Sequence, residues 1–115
     1  MALHFKRQFA SIFGWSGIEG ESYSDKSDFA RASVARIKVT DRHGRVRNSV
    51  SDRIYLVLSG SGWFNIEGEQ INVEVDDVII VPRMCVYDYG GQLELFLVHA
   101  PAYQRENDED FEQKQ

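Results

Sequence analysis

The chain has 115 residues, 43% hydrophobic and 27% charged, the size and balance of one globular domain whose core needs no covalent staples. Its net charge of −5 at pH 7 argues against nucleic acid as a partner, because phosphate binding needs a concentrated basic surface. One cysteine, Cys85, excludes an intramolecular disulfide and any multi-cysteine zinc site, and no segment reaches the length of a membrane span.

In chain order, Met1 to Trp15 has no long apolar run and no small-residue cleavage site, so no signal peptide is expected and the cytoplasm is the expected compartment. Phe5, Phe9 and Phe13 are spaced to line one face of a helix, or to belong to an extended arm packed on the domain. Gly14, Gly17 and Gly20 break any helix, and Ser22 to Asp28 reads as a loop. From Phe29 the period becomes two. Val34, Arg36 and Lys38 alternate with Ser33, Ala35, Ile37 and Val39, as in a half-buried strand. Thr40 to Gly44 is a turn. Ile54 to Leu58 is a strand, Ser59 to Gly62 a tight turn, and Trp63 to Ile66 the returning strand. Gln70 to Val75, Val78 to Val81 and Val86 to Tyr89 follow as short strands. Gly90-Gly91 reads as a hairpin turn, and Leu93 to His99 as the last strand. The acidic block from Gln104 to Gln115 is expected to fray.

Short strands with frequent turns indicate an all-β sandwich or barrel. The organisation is therefore an N-terminal arm and loop over 1–28, a β-barrel over 29–103 and an acidic tail over 104–115. Charge is uneven along it. Eight of the thirteen basic residues lie between Lys26 and Arg53, while Glu106, Asp108, Glu109, Asp110 and Glu112 crowd the tail. The basic middle suits a solvated strand face with guarded edges, or an anionic small ligand.

The run Arg53-Ile54-Tyr55-Leu56-Val57-Leu58-Ser59-Gly60-Ser61-Gly62, the Gly68-Glu69 turn and the series Asp76-Asp77-Val78-Ile79-Ile80-Val81-Pro82, with Tyr87 five residues on, resemble the cupin superfamily. That resemblance implies a jelly-roll β-barrel and, commonly, a homodimer. The aromatic first fifteen residues would suit the dimer, because exposed Phe and Trp need burial. Metal-binding cupins carry two His two residues apart, a Glu five residues later and a third His after the Pro motif. The matching positions here are Val46, Asn48, Arg53 and Tyr87. Val offers no lone pair, Asn is a weak ligand, Arg is a permanent cation and Tyr is neutral at pH 7. The resemblance therefore implies no metal and no cofactor. His4, His43 and His99 stand at no ligand spacing.

In the cupin register the barrel interior would hold Val46, Asn48, Arg53, Tyr55, Tyr87 and Tyr89, with Cys85 near the rim. Asn48, Arg53, Tyr55, Tyr87 and Tyr89 are the candidate ligand-binding residues. Arg offers a planar fork for a carboxylate or phosphate, and phenols both stack and donate. The plainer alternative is that Arg53 pairs with a carboxylate near Asp52 or with Asp88, while the tyrosines fill the core. Three functions compete. The first is a metal-free barrel binding a small polar or anionic molecule, such as a sugar acid, sugar phosphate or keto acid. The second is a metal-independent isomerase, epimerase or lyase acting beside a carbonyl, with Tyr87 or Tyr89 as acid, Arg53 as anion clamp and His99 or His43 as base. The third is a dimer scaffold. An inward His99 within reach of Tyr87 would favour the enzyme, an open Arg-floored pocket binding, and a solidly packed barrel the scaffold.

Overall fold

The computed structural model describes residues 3 to 112. Nine strands form one strongly curled antiparallel sheet: β1 (Ser11–Trp15), β2 (Ile18–Ser22), β3 (Ser33–Val39), β4 (Val46–Asn48), β5 (Asp52–Ile66), β6 (Glu69–Glu74), β7 (Val78–Val81), β8 (Tyr87–Ala100) and β9 (Asp108–Asp110). Two 3₁₀ turns, Arg7–Phe9 and Arg105–Asn107, complete it.

The axis of the fold is the pairing of β5 with β8, which runs from Asp52↔Ala100 to Ile66↔Tyr87. At one end the pair is flanked by β7 on the β5 side and by β3, β2 and β1 on the β8 side. At the other end β6 flanks β5, and β4 followed by β9 flanks β8. Both long strands must therefore bend to serve two sheets. A bulge between Val57 and Ser59 bends β5, and glycines let the backbones close up there. A Cβ on Gly60 would lie 1.9 Å from the Gln92 carbonyl oxygen, and one on Gly62 would lie 2.1 Å from that of Gly90. The tight turn expected at Ser59–Gly62 and the hairpin expected at Gly90-Gly91 are thus corrected. Both glycine clusters sit inside continuous strands, opposite one another, as the corner of the barrel.

The ends of the chain also differ from the sequence reading. Residues 11–22 form the β1–β2 hairpin, which extends the sheet beyond β3, so Phe5, Phe9 and Phe13 line no helical face. The expected fraying does not extend over 104–112. Asp108–Asp110 pairs with β4, and this edge is laced by ion pairs of Arg42 and Arg45 with Glu112 and of Arg47 with Glu109. Residues 113–115 of the tail lie outside the described residues. The alternation expected in β3 is present, with Ser33, Ala35, Ile37 and Val39 buried.

Gly60→Ala and Gly68→Ala separate backbone strain from the corner's crowding. Both glycines have φ near +85° (84° and 85°), but a Cβ at Gly68 meets nothing within 4 Å. Gly68→Ala is expected to lose about 1 kcal/mol to left-handed strain. Gly60→Ala is expected to lose about 3 kcal/mol or more, as strain plus a backbone clash. Urea denaturation of both variants measures this, and equal losses would show that close approach is not what Gly60 provides.

Candidate functional site

Strand alternation places Arg53 and Tyr55 on the inner face of β5 and Tyr87, Tyr89 and His99 on that of β8. The barrel is hollow on this side. A cavity of about 540 Å³ is lined by these five residues, by Trp15, His43, Tyr103 and Asp108, and by the Ser11, Ser22, Ser24 and Ser33 segments of its mouth. Its volume is in the range of small-molecule sites.

Three phenols meet at its floor. The Tyr55 and Tyr87 hydroxyls share a hydrogen bond of 2.6 Å. The Tyr89 hydroxyl is buried and makes no hydrogen bond of good geometry among the described residues, although the Tyr55 hydroxyl lies near enough to perturb it. Burial, ahead of neighbouring phenols, raises all three pKa values well above the ordinary 10, so they stay protonated and serve as donors.

His43 comes from the loop between β3 and β4 and stacks on Tyr89, with ring centroids 4.6 Å apart, while Tyr89 stacks in turn on Phe64 at 4.8 Å. The loop is pinned from several sides. The His43 amide donates to the Tyr89 carbonyl, the Gly91 amide to the Asp41 carbonyl, and Trp15 Nε1 to the His43 carbonyl. Buried Asp88 accepts the Gly44 and Tyr89 amides and the Arg42 guanidinium. Within the His43 ring, Nδ1 lies 2.8 Å from the Gly44 carbonyl oxygen. An oxygen acceptor requires a proton on Nδ1, so in the neutral ring Nε2 carries the lone pair.

Arg53 does not pair near Asp52 or with Asp88, the two partners weighed from sequence. Its guanidinium donates to Asp108 Oδ1 at 2.7 Å and lies over the Tyr87 ring, 5.2 Å from the centroid. Burial opposes its charge, but Tyr87, Tyr55 and Asp108 outweigh that and raise its pKa. One arm of the fork read as open to an anionic ligand is therefore taken, and its charge is balanced by Asp108. Asn48 is also displaced from its expected role. Its Oδ1 accepts the Val50 and Ser51 amides and its Nδ2 donates to Asp108, so it braces the carboxylate behind the cavity wall. Val46 is buried outside the lining. Cys85 is half-buried against the core, away from the cavity, its thiol pKa raised by burial and then by Glu67. His43, named from sequence only as an alternative base to His99, is brought to the cavity wall, whereas Asp108 was missed because it sits in an acidic tail. Only the density of acids opposite a basic middle hinted at Asp108.

The fold has counterparts among solved structures. Pac13, a nucleoside dehydratase, is 26% identical, with a TM-score of 0.87 over 96% of this chain and 91% of that one. Streptomyces Pac13 solved with uridine, as a His-to-Gln variant, is 25% identical, with a TM-score of 0.89 over 97% of this chain and 92% of the other. Tyr-to-Phe variants of it were also solved with uridine. KdgF from Halomonas sp. shares the fold at 12% identity and a TM-score of 0.77, over 92% and 98% of the two chains. No family model and no curated protein matches the sequence. The fold is a cupin barrel.

A cupin metal would draw its donors from Val46, Asn48, Arg53 and Tyr87. The first has no donor atom, the second has its amide fully engaged, the third is a cation and the fourth is a protonated phenol. These residues do not fit a metal, and no group of three or more His, Cys, Asp or Glu converges elsewhere among the described residues.

His99 supplies a pH signature. Burial, then Arg53 and His43, pull its pKa from 6.5 down to about 3. Between about pH 6.5 and 5 the unfolded chain binds a proton that the folded chain refuses. Stability should thus fall on acidification by up to about 1.4 kcal/mol per pH unit, above the range where carboxylates titrate. His99→Gln should flatten that slope in denaturation curves taken across the window; an unchanged slope would place the titrating group elsewhere.

Proposed function

We propose that this cupin is a metal-independent lyase that eliminates water from a nucleoside or a related sugar derivative. The carrying observation is the pairing of His43, with its lone pair on Nε2, and the unpartnered buried hydroxyl of Tyr89, stacked together on one cavity wall. The similarity to a nucleoside dehydratase, in which a His and tyrosines were substituted, supports the same reading. It moves the enzyme reading ahead of pure binding, and the hollow interior weighs against a scaffold.

The chemistry is an elimination beside a carbonyl. His43 Nε2 takes the proton from the carbon next to the carbonyl, and the C–H electron pair passes to the carbonyl oxygen as an enolate. Phenolic O–H groups held in a water-poor site stabilise that oxygen, with Tyr89 free to donate to it. The enolate then collapses to a C=C bond, the bond from the β-carbon to its hydroxyl breaks, and the hydroxyl leaves as water with a proton from the imidazolium or a phenol. His99, with its pKa near 3, is too weak a base for this step. The catalytic candidates Tyr87 and His99 therefore become supporting groups. Tyr87 orders Tyr55, and His99 lines the wall beside Tyr103.

The homodimer and the cytoplasmic compartment remain part of this proposal. β1 pairs only with β2 among the described residues, and Phe9 and Ile12 expose 77% and 78% of their surface beside that open edge, as a second copy would use. Native mass spectrometry should show a dimer that Ile12→Lys weakens; a monomer at micromolar concentration removes this part. No helix among the described residues is long and apolar enough to cross a membrane.

The activity test offers ribonucleosides carrying a carbonyl next to a ribose C–H and follows loss of one water by mass spectrometry. His43→Gln should cut turnover by about 10²- to 10⁴-fold, the usual worth of a general base, while uridine binding stays within a few-fold. Tyr89→Phe should also slow turnover. Absence of water loss from every such nucleoside, or an unimpaired His43→Gln protein, would sink the proposal.

A further inference from the structure

Each cation on the cavity wall has a carboxylate of its own. Asp108 Oδ1 lies 2.7 Å from Arg53, and Asp110 lies 2.9 Å from Arg105 at the mouth. The deeper pair is locked in place. Asp108 Oδ1 also accepts Asn48 Nδ2 at 2.8 Å, and Oδ2 accepts the Tyr103 hydroxyl at 2.9 Å. Arg53 and Asp108 side chains keep only 4% and 8% of their exposure. Around them stand protonated phenols, while Asp25 at the mouth adds negative charge to the lining. The wall thus presents neutral donors and charge-balanced ion pairs, with no surplus of positive charge.

A ligand phosphate or carboxylate reaching Arg53 has two courses. It can displace Asp108, leaving a buried carboxylate without its counter-ion, or it can take the guanidinium's remaining N–H groups and lie beside that carboxylate, two anions on one cation. Both are strongly unfavourable in a buried site. An uncharged hydroxylated ligand meets neither obstacle, and it can accept from the phenols and donate to serine and carboxylate oxygens. We propose that Asp108 is the specificity-determining residue: by neutralising Arg53 inside the wall it reserves the cavity for an uncharged sugar-bearing ligand and excludes its phosphorylated or carboxylated counterpart. The tail strand β9 that carries Asp108 is therefore part of ligand selection as well as of the sheet. The choice of nucleoside probes rests on the function proposed above; the electrostatic argument does not.

The test is calorimetric titration of the full chain, wild type and Asp108→Asn, with uridine, uridine 5′-monophosphate and inorganic phosphate. Wild type is expected to bind uridine on the order of a hundredfold more tightly than its monophosphate, the factor that an unpaired buried charge represents. Asp108→Asn, which frees the Arg53 fork, should narrow or reverse that ratio and take up phosphate. A wild type that holds the monophosphate as tightly as uridine overturns the proposal while the nucleoside reading stands. So does a folded Asp108→Asn protein with the wild-type ratio. Should Asp108→Asn not fold, the wild-type ratio alone decides. Should wild type bind neither uridine compound, the nucleoside reading fails, and phosphate decides the charge question. Uptake by Asp108→Asn only supports it, whereas uptake by wild type, or by neither protein, overturns it.

Discussion

The antiparallel pairing of β5 with β8 is the constraint from which the rest of the molecule follows. Each strand is long enough to belong to two sheets, and the bend that lets them do so is made where neither strand carries a Cβ in the way, at Gly60 and Gly62 against Gly90 and Gly91. Because the two strands bend together, the inward faces of both converge on one side of the corner. Arg53 and Tyr55 from β5 meet Tyr87, Tyr89 and His99 from β8, and the other strands close the wall around them. The cavity is thus a consequence of how two strands curve, and its contents are set by a period of two read along each.

Burying so many polar groups in one place requires that nearly all of them be satisfied. Arg53, Asn48 and Tyr103 converge on one carboxylate, and Tyr55 and Tyr87 satisfy each other. A buried ion pair of this kind gives little net stability, since desolvation offsets most of the attraction, but removing either partner is expensive, of order 3–5 kcal/mol. The pair's value is positional. It ties β9, and through it the acidic tail, to the floor of the barrel, and the surface pairs of Arg42, Arg45 and Arg47 add a looser clasp along the same edge.

The parts of this arrangement that the sequence made legible are those governed by local periodicity. The inward set Arg53, Tyr55, Tyr87 and Tyr89 follows from strand alternation once the register is known, and the buried face of β3 is plain from Ser33 to Val39. The glycine corner was misread because a Gly-rich tetrapeptide inside a strand looks the same, locally, as one in a turn; only the partner strand's own glycines, thirty residues away, distinguish them. The direction of His43 was hidden because a turn has no periodicity from which to infer one, and its orientation depends on the hydrogen bonds that its loop makes with Trp15, Asp88 and the β8 backbone. Asp108 was hidden by composition. A run of acids reads as solvated until a complementary run of arginines is brought alongside, which is a property of the folded sheet and not of either segment.

Among the buried polar side chains of the described residues Tyr89 is the exception, and on the proposed function its state has a physical use. A buried hydroxyl without a partner destabilises the protein by about 1–3 kcal/mol. That deficit is recovered when a ligand oxygen arrives, and recovered most fully when the oxygen is anionic, because a hydrogen bond to a charged acceptor is roughly twice as strong as a neutral one. The rings on either side, His43 and Phe64, hold the phenol in place, so no reorganisation is needed as charge develops. A closed Arg53–Asp108 pair sharpens this preference. With no net positive charge to attract a permanently anionic ligand, the site would, on the elimination proposed above, distinguish between a neutral ground state and an enolate formed within it, which is the discrimination that lowers a barrier instead of merely tightening binding.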